Sequence, residues 1–184
     1  TLLLIINSIF AQDHWETAVF ANDYWRYLVP NSEPDTNWNE EYFHDSDWNQ
    51  GPGGFGYGDE DDGTIIDQTL SVYFRTTFNV EEITKLTRAI ISADYDDGYI
   101  AYLNGVEFSR ANLGSAGSDV YYNTTTTALH EAEIYSGGFP ERIHIDLNEF
   151  PILAGTNTLA VQVHNYSNTS SDLSCINHTP SCLL

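Results

Sequence analysis

The feature that most constrains the fold is a series of short segments rich in β-branched and aromatic residues, separated by clusters of Gly, Asn, Asp and Pro. These segments are WRYLV (25–29), VYFRTTFNV (72–80), LTRAIISADY (86–95), GYIAYLNGVEFSR (98–110), RIHIDL (142–147) and NTLAVQVHN (157–165). Such segments between turn-forming clusters are typical of β-strands. No stretch of ten or more residues keeps a helical period, and only residues 39–48 suggest a short turn of helix.

Two of these segments alternate as half-buried strands do. In RIHIDL, Ile143 and Ile145 fall on one face and the polar residues on the other. In NTLAVQVHN, Val161 and Val163 fall on one face and His164 on the other. A chain of 184 residues is about one domain. Many strands joined by turns in one domain predict an all-β fold, an antiparallel β-sandwich.

The stretch DYDDGYIAYLNG places acids and turn residues around one of the strands. Asn104 and Gly105 readily adopt positive φ, which predicts a tight hairpin turn. The acids leave two interpretations open. Their side chains stabilise a turn by binding its amides, or they also contact a ligand, with Asp94 bracing the strand end while Asp96 and Asp97 face a pocket at the loop edge.

Four blocks of the sequence together resemble a known family. They are GPGGFGYGDEDDGTII, SVYFRTTFNV, DYDDGYIAYLNGVEFSRANL and LAGTNTLAVQVHNYSNTSSDLS, in this order between Trp25 and Ser174. They look like the galactose-binding-like jelly-roll domains of secreted bacterial multidomain proteins. The family pattern continues after SSDLS as an alternating strand, whereas CINHTPSCLL follows here, and Pro180 weakens a final strand.

The resemblance implies a galactose-binding-like jelly roll that serves as a non-catalytic, carbohydrate-binding-like accessory module. The alternative is a structural or adhesive spacer that binds a neighbouring protein domain and no glycan, because the superfamily includes carbohydrate binders, protein binders and spacers. Polar groups at predicted strand ends are the candidate ligand contacts, since jelly-roll loops expose such groups. These candidates are Tyr57, Asp96, Asp97, Arg110, His164 and Asn165, with Arg110 as a donor complementary to the two acids.

A second acidic segment, DEDDGT, suggests a metal site. Asp59, Asp61 and Asp62 lie within one short loop, and hard oxygen donors at this density suit Ca²⁺. The spacing is not that of an EF-hand. A solvated acidic turn is the alternative, and the frequency of structural calcium in the family that the chain resembles favours calcium.

The charge of the chain excludes one class of partner. It has 27 acidic and 6 basic residues, a net charge of −21, whereas nucleic-acid binding needs clustered Lys and Arg. Catalytic motifs are equally scarce: the six histidines form no HExxH or HxH motif, and no GxSxG elbow or phosphate-binding loop occurs. We therefore expect that this chain is not an enzyme, although its abundant paired carboxylates leave glycosidase chemistry open on composition alone.

The termini predict secretion and one bounded domain. The apolar run TLLLIINSIFAQ, residues 1–12, is typical of a signal-peptide core and is too short to span a bilayer; a buried β-strand is the alternative. We expect residues 13–176 to form the β-sandwich and residues 177–184 an irregular tail. Cys175 and Cys182 could form a disulfide in an oxidising compartment. The expected location is extracellular or on the cell surface, without membrane insertion after cleavage.

Overall fold

A computed structural model describes residues 14–58, 62–150, 152–175 and the backbone of 182–183. The structure confirms an all-β sandwich with mainly antiparallel sheets. The segment predicted as a signal peptide, residues 1–12, lies outside the described residues, as do Asp59 and Asp61. None of the described helices is long and apolar enough to cross a membrane.

A six-stranded antiparallel sheet forms the larger layer. In sheet order its strands are β3 (Asn49–Pro52), β2 (Tyr24–Leu28), β6 (Ser71–Val80), β11 (Gly155–His164), β8 (Gly98–Leu103) and β9 (Val106–Ala111). The ten-residue strands β6 and β11 lie at its centre and pair along their whole length, from Gly155 opposite Val80 to His164 opposite Ser71. These central strands carry the alternating apolar residues that build the core.

Two smaller sheets complete the described part of the sandwich. One contains β1 (Thr17–Val19), β13 (Cys182–Leu183), β7 (Ala89–Ala93) and β10 (Glu141–Ile145), in that order. The other contains β12 (Leu173–Cys175), β4 (Phe55–Tyr57) and β5 (Thr64–Ile65), with β4 and β5 parallel. Two 3₁₀ turns, Ile83–Lys85 and Ile134–Ser136, are the described helical elements.

The hairpin predicted at Asn104 and Gly105 is present between β8 and β9. Both residues have positive φ, 50° for Asn104 and 84° for Gly105. The side chain of Asn104 also ties the turn to β11, because its Oδ1 accepts the Thr158 N–H at 2.8 Å and its Nδ2 donates to Asn157 Oδ1 at 2.9 Å. The turn is therefore fixed both by its own residues and by the central strand.

Two local expectations were wrong. Residues 39–48 form turns closed by i to i+3 hydrogen bonds, such as Phe43 N–H to Glu40 O, and no helix. Residues 182 and 183, within the tail that we expected to be irregular, pair with β1 and β7 as strand β13. Cys175, whose pairing with Cys182 the sequence left open, is a buried free thiol.

The main core lies between the sheets, and a second cluster covers the outer face of the large sheet. The main core includes Phe74, Leu159, Val163 and Leu173. On the opposite face the loop before β3 packs Trp38 and Trp48 over the central strands, in one buried cluster with Tyr73 of β6 and Ala160 of β11. The expectation of a half-buried strand is thus right for β10, whose His144 is exposed, and wrong for β11, which is buried on both faces.

A buried cation holds this covering loop in place. Arg75, on the outer face of β6, is only 3% exposed. Its Nε donates to Asp45 Oδ2 at 2.9 Å, its Nη1 donates to the Trp38 carbonyl, and its guanidinium lies over the Phe43 ring at 5.2 Å. One guanidinium therefore connects three points of the loop to the central sheet.

We expect Arg75→Gln to lower the free energy of unfolding by about 2 to 3 kcal/mol, because it removes charge-assisted hydrogen bonds at a buried site. Arg26→Gln is the matched control: Arg26 reaches Asp45 only at 4.0 Å and is more exposed, so it should cost less than about 1 kcal/mol. Denaturant unfolding followed by tryptophan fluorescence, to which Trp38 and Trp48 contribute together with Trp15 and Trp25, measures both losses. Equal losses in both variants would show that the Arg75 contacts do not hold the loop.

Candidate functional site

The acidic turn that precedes β8 is held by the side chain of Asp97, which is 1% exposed. Its Oδ1 accepts the His130 N–H at 2.8 Å and its Oδ2 accepts the Tyr166 N–H at 2.7 Å. Its carbonyl oxygen accepts the Asn112 amide at 2.8 Å. A single residue therefore joins loops from three parts of the chain at the end of the sheet where β8 begins and β11 ends.

Asp94, three residues before Asp97, also binds backbone N–H groups of a loop. Its carboxylate accepts the N–H groups of Glu133 and Ile134, at 2.8 and 3.2 Å, at the start of the second 3₁₀ turn. A carboxylate at such a position satisfies amides that the helical turn leaves without partners. Asp94 and Asp97 together fix the loop that runs from His130 to Ile134 against the end of the sandwich.

That loop brings three carboxylates together. Asp96, Glu131 and Asp172 each offer an oxygen, and these oxygens all lie within 4.8 Å of one another. They come from separate segments: the turn before β8, the loop held by Asp94 and Asp97, and the residue before β12. The Asp96 N–H donates to the Ser174 carbonyl at 3.1 Å, which fixes the turn beside β12.

The electrostatics of this acidic cluster are unfavourable without a counter-charge. Burial raises the pKa of Asp96 to about 8, and the charges of Asp97, Asp172 and Glu131 add to the effect. Ligands of one Ca²⁺ lie about 2.3 to 2.6 Å from the ion, so two of them can be separated by up to about 5 Å. Three hard oxygen donors within 4.8 Å of one another fit a divalent cation in both chemistry and spacing.

Tyr57 and Asn165 border the acidic cluster. Strand β4 can approach β12 closely because residue 56 is a glycine and has no side chain. A Cβ at this position would lie 2.2 Å from the Leu173 carbonyl oxygen. Asn165 Nδ2 donates to the Tyr57 hydroxyl at 2.8 Å, and Asn165 Oδ1 is buried without a hydrogen-bond partner among the described residues. The pKa of Tyr57 is raised by burial, with smaller contributions from the charges of Asp96 and Asp172.

The structure brings four of the six predicted ligand residues together at this end, but it does not expose them. Tyr57, Asp96, Asp97 and Asn165 are all buried. The expectation that they present polar groups to solvent was wrong, because the chain around Thr126, His130 and Tyr166 binds them: the His130 and Tyr166 N–H groups donate to Asp97, and the Thr126 N–H donates to the Asn165 carbonyl. Their side chains serve the turn and the acidic cluster and are closed to a sugar from solution.

The other two predicted residues lie apart from the acidic cluster's carboxylates. Arg110 binds both carboxylate oxygens of Glu107, each at 2.6 Å, and also the Ser118 carbonyl, so it is not the expected donor to Asp96 and Asp97. His164 is 0% exposed. It lies on the outer face of β11 with its Nδ1 at 2.8 Å from the Thr124 carbonyl, so it too is closed to an external ligand.

Asp62 is the described member of the predicted calcium loop. One of its carboxylate oxygens lies 2.4 Å from the position that a Cβ on Gly56 would take, so Asp62 packs directly against β4. With Asp59 and Asp61 outside the described residues, the loop's ability to bind calcium stays a prediction.

An open cleft of about 260 Å³ is lined in part by His130 and Glu133, on the same loop that carries Glu131 of the acidic cluster. It is lined by Ala93, Asp94, His130, Glu133, Phe139 and Glu141. The Phe139 ring is 85% exposed. The Tyr95 hydroxyl donates to Glu141 Oε2 at 3.3 Å, and the His130 ring stacks on Tyr95 at 4.2 Å, so two of the lining side chains are held in place.

Apart from Asp94, sequence reasoning missed these lining residues and also Glu131 and Asp172. Phe139 stands in GGFPE, where Gly and Pro signal a loop, and an aromatic residue in such a loop is the one signal that could have indicated it. Glu131 and Asp172 carry no such signal, because acids are common throughout this chain and only the folded loops bring these two to Asp96.

Comparison with known proteins places the fold but not the family. No protein-family model matches the chain, and no curated protein matches it. Solved structures do match. The chain is similar to a calcium-binding mutant of Bacteroides uniformis β-glucuronidase 2, with a TM-score of 0.55, 15% identity and coverage of 92% of this chain and 18% of that one.

Two further solved structures give the same result. A β-glucuronidase from an uncultured Clostridium species matches with a TM-score of 0.51 and 20% identity over 90% of this chain and 24% of that one. A β-glucuronidase from glycoside hydrolase family 2 matches with a TM-score of 0.52 and 18% identity over 86% and 15%. The chain thus spans a quarter or less of these enzymes. At this identity the likeness shows a shared β-rich domain fold.

His164 generates a prediction about acid stability. Burial lowers its pKa from 6.5 to about 4, so the folded state favours the neutral ring. Its contribution to stability is complete above pH 6.5 and is lost as the pH falls toward 4, by about 3 kcal/mol in total. Chemical denaturation between pH 7 and pH 4 should show this loss in the native protein and not in His164→Gln.

The exposed His144 supplies the control, because His144→Gln should keep the pH dependence of the native protein. If the His164→Gln variant lost stability with acid just as steeply as the native protein, titration of His164 would not be the cause.

Proposed function

We propose that this chain is a non-catalytic, extracellular accessory module of the galactose-binding-like jelly-roll type that binds carbohydrate and is stabilised by calcium. The observation that carries the proposal is the cleft beside the Asp97 turn, where an exposed aromatic ring stands next to fixed carboxylates. Sugar sites combine an aromatic surface with a few fixed polar groups. The solved structures of similar fold are enzymes that act on glycosides, which supports a role near carbohydrate.

A non-catalytic role is favoured by the burial of Asp96, which lies among the three acids that stand closest together; of the other two, Glu131 is exposed and Asp172 half-buried. Glycosidases need two carboxyl groups on either side of a bound glycosidic bond, about 5 Å or more apart. Asp96, the central member of the acidic cluster, is 4% exposed and cannot reach a glycosidic bond. We expect no hydrolysis of aryl glycosides by the purified chain.

Calcium is proposed at Asp96, Glu131 and Asp172, where three hard oxygen donors converge from separate segments. Binding there would neutralise repulsion at a buried carboxylate and tie β12, the His130 loop and the turn before β8 together. One solved neighbour is a calcium-binding mutant of its enzyme, which is in keeping with this proposal. The loop containing Asp59, Asp61 and Asp62 is the alternative position for the ion.

The rival function, a spacer that docks on a neighbouring domain, has one observation in its favour. Large apolar side chains are exposed around the same loops: Leu129, Tyr135 and Phe139. Because the chain spans 18% and 24% of two solved neighbours, a neighbouring domain is an alternative partner for this surface. Glycan binding, or its absence, separates the two functions.

Calcium at about a hundred times its dissociation constant should raise the melting temperature by about 5 to 10 °C, because an ion bound only to the folded state stabilises it by about 2.7 kcal/mol. Scanning calorimetry of the calcium-loaded and chelated protein tests this. Asp96→Asn combined with Glu131→Gln should abolish the shift, whereas Asn at Asp59, Asp61 and Asp62 should preserve it. The reverse result would assign the calcium site to the Asp59 loop. An unchanged melting temperature in the native protein would contradict calcium binding.

Phe139→Ala should weaken glycan binding about tenfold, because stacking of an aromatic ring contributes about 1 to 1.5 kcal/mol. A glycan array identifies ligands of the native protein, and titration calorimetry then compares the variants. Tyr42→Ala is the control, since Tyr42 is similarly exposed but lies on the loop that covers the outer sheet face. Absence of binding to every glycan would favour the spacer function.

A further inference from the structure

The charges around the cleft limit which sugars it can accept. Glu133 and Glu141 are exposed and contribute carboxylates, Asp94 closes the inner end, and no lining residue is Lys or Arg. Arg142 follows Glu141 in β10, but successive side chains of a strand point to opposite faces, so it does not offset the charge. The cleft is therefore negative on the sides from which a ligand approaches.

The partners of these acids do not neutralise them. Asp94 is satisfied by the amides of Glu133 and Ile134, and Glu141 accepts a hydrogen bond from the neutral Tyr95 hydroxyl. Burial, with a contribution from the charge of Glu141, raises the pKa of Tyr95 well above its ordinary value, so this hydroxyl keeps its proton. The Glu131 carboxylate of the acidic cluster lies on the same loop, and the chain as a whole carries a net charge of −21.

We propose that the cleft selects sugar residues that are uncharged or carry a free amine, with the amine-bearing ones bound most tightly, and rejects uronic acids. This inference rests on the proposed carbohydrate-binding function and names its ligand class. A sugar carboxylate placed over Phe139 would meet carboxylates at Glu133 and Glu141 and no compensating cation. An ammonium group in the same place is attracted by both carboxylates and by the face of the ring.

The size of the cleft agrees with recognition of a short unit. About 260 Å³ is just below the range of roughly 300 to 1,000 Å³ of small-molecule sites. Selection by charge then acts on the one or two sugar residues that enter, while the rest of a chain stays in solvent. The inference separates this module from the solved neighbours called β-glucuronidases, whose likeness to it is one of fold.

The test is a glycan array grouped by charge, followed by calorimetry with β-1,4-linked trisaccharides of glucose, glucosamine and glucuronic acid and with the best ligands from the array. Among ligands of matched linkage, we expect the amine to bind at least about fivefold more tightly than the neutral sugar, and the uronic acid at least about tenfold more weakly. Raising the salt concentration should reduce the preference for the amine, because exposed charges are screened. Each titration is run in calcium and in chelator, so that a uronic acid held through a bound cation is recognised.

Charge variants assign the selectivity to named residues. Glu133→Gln with Glu141→Gln should remove the preference for the amine while neutral sugars still bind, and Glu133→Lys with Glu141→Lys should admit uronic acids. Glu149→Gln, an exposed acid outside the cleft, is the control and should change nothing. Circular dichroism and melting curves confirm that each variant is folded.

The outcomes distinguish the inference from the function on which it rests. If no glycan of any charge binds, the carbohydrate-binding function fails and the inference with it. If glycans bind and uronic acids in chelator are among the tight ligands, or the Gln variants keep the preference for the amine, only the inference is overturned.

Discussion

The end of the sandwich that carries the candidate site depends on one buried carboxylate. Asp97 accepts backbone N–H groups from His130 and Tyr166, and its carbonyl oxygen accepts an amide from Asn112. Backbone amides of loops have no sheet partners, and leaving them buried and unpaired would cost about 1 to 3 kcal/mol each. A charged acceptor makes stronger hydrogen bonds than a neutral one. Both the acidic cluster and the cleft take their shape from loops that Asp97 fixes.

The same arrangement concentrates negative charge. Once the His130 loop is fixed, Glu131 is carried toward Asp96 and Asp172, and Glu133 toward Glu141. A chain with so few basic residues cannot supply a cation for each acid, and its buried Arg75 is already committed to Asp45 on the far face of the large sheet. An ion at the acidic cluster, as proposed above, and an uncharged or cationic ligand at the cleft would relieve this repulsion from outside the chain.

The sequence predicted the parts of the fold that depend on local chemistry. The hairpin at Asn104 and Gly105 and the half-buried pattern of β10 follow from turn preference and alternation, and both are present. The pattern of β11 was misread because alternation shows which residues share a face and does not show what covers the other face. The covering loop begins more than a hundred residues earlier in the chain, and its anchor, Arg75, is one basic residue in an otherwise ordinary strand.

The candidate site was predictable in place but not in detail. Strand-end polar residues do gather where β8 begins and β11 ends, and Tyr57, Asp96, Asp97 and Asn165 all lie there. Their burial could not be inferred, because exposure depends on loops whose paths have no period and no propensity signal. Arg110 illustrates the same limit of prediction from sequence. The sequence offers it several acidic partners, and in the fold the bulged edge strand β9 places Glu107 within hydrogen-bonding distance.

The stretch DYDDG shows how three acids within four residues acquire separate roles. Asp94 binds the amides of the 3₁₀ turn, and Asp97 binds the amides of two loops, so each is stabilised by donors from the backbone. Asp96 lies between them and turns instead toward Glu131 and Asp172, other carboxylates. Satisfying the neighbours on both sides is what forces Asp96 into this environment. The raised pKa of Asp96 is thus a consequence of two well-made turns, and a cation at that point would resolve a conflict that the fold itself creates.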